Sequence, residues 1–216
     1  MMLVRGKTFG VSREEIEGAG ILEIDDYRYL QRNHMLVDQA ALDAGFGPPI
    51  LLDVRLRWLT VLGVQLDQAA LAELSRFENV ERLDLVDTDV TKVVILGLTP
   101  LRMLRHLDLT KSHVEWSALL ALAERPHLET LILRETTLGD ESIDVLAELG
   151  SLQRLDLSRT SISDKGVFKL AGLPNLRKMA VVQTRATPDG IARAMAINPH
   201  LQIISDKEND GNGVTS

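Results

Sequence analysis

The sequence predicts an α/β solenoid, a stack of short parallel strands that each hand over to a helix, preceded by an N-terminal cap. Three observations carry this expectation. The stretch Leu152 to Leu176 (LQRLDLSRTSISDKGVFKLAGLPNL) recurs along the chain at a spacing of 24 residues. Apolar residues fill the same positions in every copy. Within each copy the apolar spacing changes from two, which marks a strand, to three or four, which marks a helix.

Repeats start at Leu56, Val80, Leu104, Leu128, Leu152 and Leu176, with a partial one at Leu201 after a 25-residue step. Their fourth positions are Leu59, Leu83, Leu107, Leu131, Leu155 and Met179, and their sixth are Val61, Leu85, Leu109, Leu133, Leu157 and Val181. The eleventh positions, Leu66, Val90, Val114, Leu138, Ile162 and Ala186, are apolar as well. Side chains at the fourth and sixth positions emerge on one side of a strand, so stacked copies bury them together. Helix-start residues follow at Asp67, Asp140, Ser163 and Thr187, the last ahead of Pro188. Leu71, Leu74 and Phe77, or Ile143, Leu146 and Leu149, then return at helical spacing. No unit buries its apolar face alone, so the array folds as a stack. Two units are weaker. Lys92 to Gly97 is rich in β-branched residues and ends on glycine, which predicts a short helix or irregular turns. Ala186 and Ala194 thin the core near the C-terminal end.

Residues 1–55 fall outside the repeat. Ile21 to Ile24 reads as a short strand, and Tyr27 to Ala44 reads as helical in its second half, with Leu30, Met35, Val37 and Ala41 as its apolar positions. Gly47-Pro48-Pro49 then breaks the chain. Glu14, Glu15, Glu17, Glu23, Asp25 and Asp26 make this end acidic. A solenoid exposes an apolar end, and a polar-faced cap is the expected remedy. The organisation predicted is a cap over 1–55, a repeat array over 56–205 and a disordered tail over 206–216.

Composition narrows the function classes. With 45% hydrophobic residues but 4% aromatic, the core is aliphatic, as a repeat array requires. The absence of cysteine excludes a disulfide framework and thiolate metal sites. A net charge of -7 argues against a general nucleic-acid binder, which needs a basic footprint. Met1 to Glu15 has no apolar signal-peptide core, and no run approaches the length of a membrane span. The expectation is a soluble, cytoplasmic chain with neither membrane nor nucleic acid as partner.

The unit quoted above resembles the leucine-rich repeat family. It is similar to the ribonuclease-inhibitor-like and cysteine-containing groups, whose outer segment is a helix. Its ninth position departs from the family's asparagine or cysteine: Val64, Thr88, Ser112, Thr136, Thr160 and Thr184 stand there. A threonine hydroxyl still bonds the loop backbone. The resemblance, over roughly residues 56–205, implies a curved solenoid with the sheet on its concave side, where family members generally bind proteins.

The residues alternating with the inward leucines face that concavity. Third positions run Trp58, Arg82, His106, Thr130, Arg154 and Lys178, and fifth positions run Thr60, Asp84, Asp108, Ile132, Asp156 and Ala180. They read either as a ladder of exposed ion pairs or as a binding strip. Asp84, Asp87 and Asp89 lie towards one end, and Arg154, Arg159, Arg177, Lys178 and Arg185 towards the other. The candidate protein-binding residues are Trp58, Arg82, Asp84, His106, Asp108, Ile132, Arg134, Arg154, Asp156, Arg159, Lys178 and Arg185. Trp58 and Ile132 are candidate apolar anchors. A partner is expected to meet the basic C-terminal half with carboxylates.

Catalytic signatures are weak. Gly6-Lys7-Thr8 lacks the upstream glycine of a phosphate-binding loop. Asp84, Asp87 and Asp89 lack the glycine turn and distal glutamate of a calcium loop, and His113 with Asp89 sketches only a weak metal pair. His127 and His200 follow Pro126 and Pro199 in equivalent loops, which is repeat structure. The sequence is therefore read as a non-catalytic interaction module without a cofactor, monomeric or weakly dimeric. The alternatives are an enzyme inhibitor or immunity-type protein, a GTPase regulator and, last, an enzyme.

Overall fold

A computed structural model describes residues 56–206 and, as a backbone strand, residues 34–37. The other parts of the expected cap and tail, including Ile21 to Ile24, lie outside the described residues.

Among the described residues, eight strands form one parallel sheet. In spatial order they are β1 (His34–Val37), β2 (Trp58–Leu62), β3 (Arg82–Val86), β5 (His106–Asp108), β7 (Thr130–Ile132), β8 (Arg154–Asp156), β9 (Lys178–Ala180) and β10 (Gln202–Ile204). Two short strands beside the loops, β4 (Asp89–Val90) and β6 (His113–Val114), pair separately. The main ladder carries the 24-residue period directly: Leu59 lies beside Leu83, Leu83 beside Leu107, and Leu131 beside Leu155.

The inward residues at the fourth, sixth and eleventh positions join one continuous apolar core with those of the helical segments. Those segments are α1 (Gln68–Leu74), α2 (Lys92–Gly97), a 3-10 helix over Trp116–Leu122, a 3-10 turn over Asp140–Ser142 continuing into α3 (Ile143–Leu146), α4 (Asp164–Leu170) and α5 (Pro188–Ile197). Asp67, Ser163 and Thr187 accept the expected capping bonds, from Ala70 N at 2.8 Å, Lys165 N at 3.3 Å and Gly190 N at 3.1 Å. Thr91 caps α2, which is six residues long. Asp140 is not a cap. It opens the 3-10 turn, and its Oδ1 instead accepts from Ser163 N of the next repeat at 3.0 Å.

Past the ends of β2, β3, β5, β7, β8 and β9 the chain passes through a residue held in the left-handed region. At the eighth position φ is 61° for Gly63, 55° for Asp87, 59° for Lys111, 56° for Glu135, 58° for Arg159 and 54° for Gln183. The amides there extend the ladder past the strand, as from Lys111 to the Arg134 carbonyl at 2.9 Å and from Arg159 to Val182 at 2.8 Å. The chain then turns, and the ninth-position hydroxyl ties it back. Thr136 Oγ1 donates to the Leu133 carbonyl at 2.7 Å, and Thr160 Oγ1 to Leu157 at 2.6 Å. Thus threonine does the work that the departure from asparagine left to it.

Two expectations change. His34–Val37 is a strand, so Met35 and Val37 do not belong to the helix expected over the second half of Tyr27–Ala44. It pairs in register with β2, His34 beside Trp58, 24 residues on. At the other end Gln202 lies beside Lys178, again 24 residues away, so the strand does not follow the 25-residue step read at Leu201. Ile203, 24 residues after Met179, lies beside it.

Candidate protein-binding face

Alternation along the strands sends third- and fifth-position side chains to the sheet face opposite the leucines. The ladder places Arg82, His106, Thr130, Arg154 and Lys178 side by side, with Asp84, Asp108, Ile132, Asp156 and Ala180 forming the second row.

The first half of this face is a compensated polar network. Asp84 accepts from Trp58 Nε1 at 2.6 Å, Thr60 Oγ1 at 3.1 Å and Arg82 Nε at 2.8 Å. The Arg82 guanidinium lies 4.6 Å from the centre of the Trp58 ring, and its Nη2 is 3.8 Å from Asp108 Oδ2. Asp108 Oδ1 also accepts from Thr110 N at 2.9 Å and Oγ1 at 2.6 Å. Arg82 and Asp84 are only 3% and 1% exposed, so they are not the solvent-facing ion pairs read from the alternation. Trp58 and Ile132, the two apolar anchors expected, are buried as well.

The middle of the face is polar and incompletely bonded. His106 Nδ1, Thr130 Oγ1 and Asp156 Oδ2 are buried without a hydrogen-bond partner. Burial, helped by the charges of Arg82, Arg154 and Arg105, pulls the His106 pKa down to about 3, so the imidazole is neutral near pH 7. Burial raises that of Asp108 to about 6, with the Asp84 charge adding to it and Arg82 and the Thr110 bonds opposing. Asp156 is raised by burial too, against the bonds of Ser158 and the charge of Arg134.

Towards the C-terminal end the cations divide into two groups. Arg159 pairs with Glu135 at 2.8 Å and bonds Gln183 Oε1 at 2.8 Å, and Arg134 reaches Glu135 at 3.5 Å. Although burial pushes the Glu135 carboxyl up, the bond from Arg159 and the nearby Lys111 and Arg134 outweigh it and leave the pKa lowered. Glu135 was not singled out from the sequence. Its signal was the alternating charge of Lys111, Glu135 and Arg159, one period apart at the eighth position. Arg154 and Lys178 are half-buried, and Arg177 and Arg185 are exposed. Among the described residues, Arg177, Lys178 and Arg185 enter no ion pair.

Asp89 lies beside His113 in the small sheet. Among the described residues, no group of three or more His, Asp or Glu side chains is placed to hold a metal ion, and no helix is long and apolar enough to cross a membrane.

A 24-residue unit of strand, left-handed turn and short helical segment, stacked into one parallel sheet over an aliphatic core, gives this chain the α/β solenoid fold of leucine-rich repeats. The family profile of Zer-1-like leucine-rich repeats matches residues 95–181. Among solved structures, internalin C2 of Listeria monocytogenes is similar at 21% identity, over 83% of this chain and 81% of that one, with a TM-score of 0.51. An internalin (inlF) of the same organism is similar at 17% identity, over 74% of this chain and 50% of that one, with a TM-score of 0.47. The chain thus spans half the length of this second relative. Comparison with curated proteins gives no match. These likenesses bear on the repeat fold and do not single out the ribonuclease-inhibitor-like subgroup.

Proposed function

We propose that the chain is a non-catalytic protein-interaction module whose partner docks on the sheet face at the C-terminal half, presenting carboxylates. The observation that carries this reading is the set of cations Arg177, Lys178 and Arg185, which enter no ion pair among the described residues while Arg82, Arg134 and Arg159 are each compensated within the fold. A partner's carboxylates gain most where the cation is not already neutralised. Stacked repeats supply an extended surface suited to such docking.

The test is affinity capture from native extract with the wild-type chain and with Arg154→Glu/Lys178→Glu/Arg185→Glu. The wild type should retain a partner at low salt that the triple variant loses. Retention of the same partner by both at equal yield refutes the reading. A captured enzyme that is silent in the complex would assign the inhibitor role.

A further inference from the structure

We propose that the helical side of the stack carries a second interaction surface, an apolar patch over α2 and the 3-10 helix Trp116–Leu122, which takes a segment of a partner protein that combines apolar side chains with lysine or arginine.

Repetition shows that the fold does not require this patch. The fourteenth and seventeenth positions of the unit lie one helical turn apart, and both are exposed in all six full repeats. In the fourth repeat they hold Glu141 and Asp144, and in the sixth Asp189 and Ala192, and the array stacks there as it does elsewhere. Nothing in the scaffold therefore calls for large apolar side chains at these positions. Yet the second repeat places Val93 and Leu96 there, and the third places Leu120, with Trp116 at the start of the same 3-10 helix. All four are half or more exposed. Because α2 packs directly beside the 3-10 helix, at the usual interaxial distance of about 8–10 Å, they form one surface across two neighbouring repeats. Ala69 and Ala72 of α1, exposed at the same two positions, continue it on the N-terminal side. A tryptophan grouped with three aliphatic side chains in solvent marks an interaction site.

Charge selects the occupant. The border of the patch is acidic. Glu115 precedes the 3-10 helix and Glu124 follows it, while α3, packed along its other side, brings Glu141, Asp144 and, just beyond its end, Glu148. Asp144 is answered by Lys169, and Glu141 accepts from the Gly139 amide at 2.9 Å. Glu115, Glu124 and Glu148 enter no ion pair among the described residues. Against them stands Lys92 at the start of α2, exposed as well. An apolar centre beside uncompensated carboxylates complements apolar side chains with cations next to them. The same charge disfavours two other occupants. A second copy laid patch to patch would bring carboxylate against carboxylate, and an anionic lipid surface would be repelled. The sheet face, with its exposed Arg177 and Arg185, calls for the opposite charge, so the two surfaces stand or fall separately.

The test is selection of a random peptide display library on the immobilised full chain. Enriched peptides should join apolar residues to lysine or arginine. Once synthesised, they should shift Trp116 emission to the blue, read as the difference between the native chain and Trp116→Phe. Affinity should fall at least about tenfold in Leu96→Ser/Leu120→Ser, which removes two apolar contacts. It should fall at least about threefold in Glu124→Lys/Glu148→Lys, whose side chains are exposed, so this pair keeps the test open if the leucine variant fails to fold. No enriched peptide, or peptides that bind both variants as tightly as the native chain, overturns the proposal. Peptides lost only with Arg177→Glu/Arg185→Glu would belong to the sheet face, which overturns this surface and leaves the other standing. Three further results also overturn it: poor acrylamide quenching of Trp116 in the free chain, which would show the patch covered from within; a self-association that Leu96→Ser/Leu120→Ser abolishes; and a blue shift of Trp116 on phosphatidylcholine–phosphatidylglycerol vesicles.

Discussion

Removing the Asp84 carboxylate should unfold the array far more readily than its position on a sheet face suggests. Asp84→Ala strands the Arg82 guanidinium, which is 3% exposed, and takes an acceptor from Trp58 Nε1 and Thr60 Oγ1 together. Breaking a buried ion pair on one side costs about 3–5 kcal/mol. Asp108 Oδ2 at 3.8 Å from Arg82 Nη2 holds part of the charge, which favours the lower end, about 3 kcal/mol. The cost belongs to the abandoned charge and not to the pair. Arg82→Met/Asp84→Leu, which removes both, should therefore recover much of that loss, with the Trp58 and Thr60 donors left without Asp84 keeping about 1 kcal/mol of it. Urea unfolding followed by Trp58 emission, in a Trp116→Phe background, measures both variants. Trp58 is buried and Trp116 half-exposed, so the background isolates the reporter at the network. A single variant costing less than about 1 kcal/mol, or a double variant as unstable as the single, refutes the argument.

Acid stability should separate His106 from Asp108. Folded His106 stays neutral to about pH 3 while the unfolded residue takes a proton below 6.5, so its burial costs stability as pH falls through that window. Folded Asp108 protonates near pH 6 and unfolded aspartate near 3.8, so acidification between those values adds stability. In thermal melts at pH 7 and pH 5, His106→Gln should gain relative to wild type on acidification and Asp108→Asn should lose, and identical pH profiles for all three would rule this out. Leu155→Ala, at a fully buried inward position between two other repeats, should cost about 2–5 kcal/mol by chemical denaturation. Gly63→Ala should cost about 1–2 kcal/mol from backbone strain alone, because φ is 61° and a Cβ there meets nothing within 4 Å; an unchanged midpoint would contradict that.

The columns of leucine carried most of the fold because burial of a strand's inner face tolerates little but aliphatic side chains, and the period repeats that demand every 24 residues. The upstream strand His34–Val37 obeyed the same period, with Met35 and Val37 at the fourth and sixth positions and Leu42 at the eleventh. It escaped notice because Arg32 takes the place of the opening leucine, and Leu30, Met35 and Val37 also suit a helix. The left-handed turn after each strand was hidden for a different reason. Only Gly63 advertises it, while the amides of Asp87, Lys111, Glu135 and Arg159 bond carbonyls of the next repeat and that of Gln183 bonds the Asp206 carboxylate, which holds these residues there. Alternation correctly assigned Arg82, Asp84 and His106 to the face opposite the leucines. It says nothing of what lies above that face, so an exposed ladder and a buried network look alike in sequence.

That last distinction decides how any mutational scan of this face must be interpreted. Arg82, Asp84 and Trp58 satisfy one another in a water-poor setting, so changing one alone perturbs the fold through an abandoned charge or hydrogen-bond donor. Loss of binding there would not locate a partner. Arg177 and Arg185 lie exposed and outside any ion pair among the described residues, so reversing their charge leaves packing nearly untouched. An effect on capture from those two positions, with the urea midpoint unchanged, can come only from recognition. Lys178 is intermediate, half-buried beside Arg154, and is informative only when its stability is measured alongside. The functional signal should therefore be sought first at the exposed cations and only afterwards in the buried strip, although the strip is where the sequence shows its most regular departure from repetition.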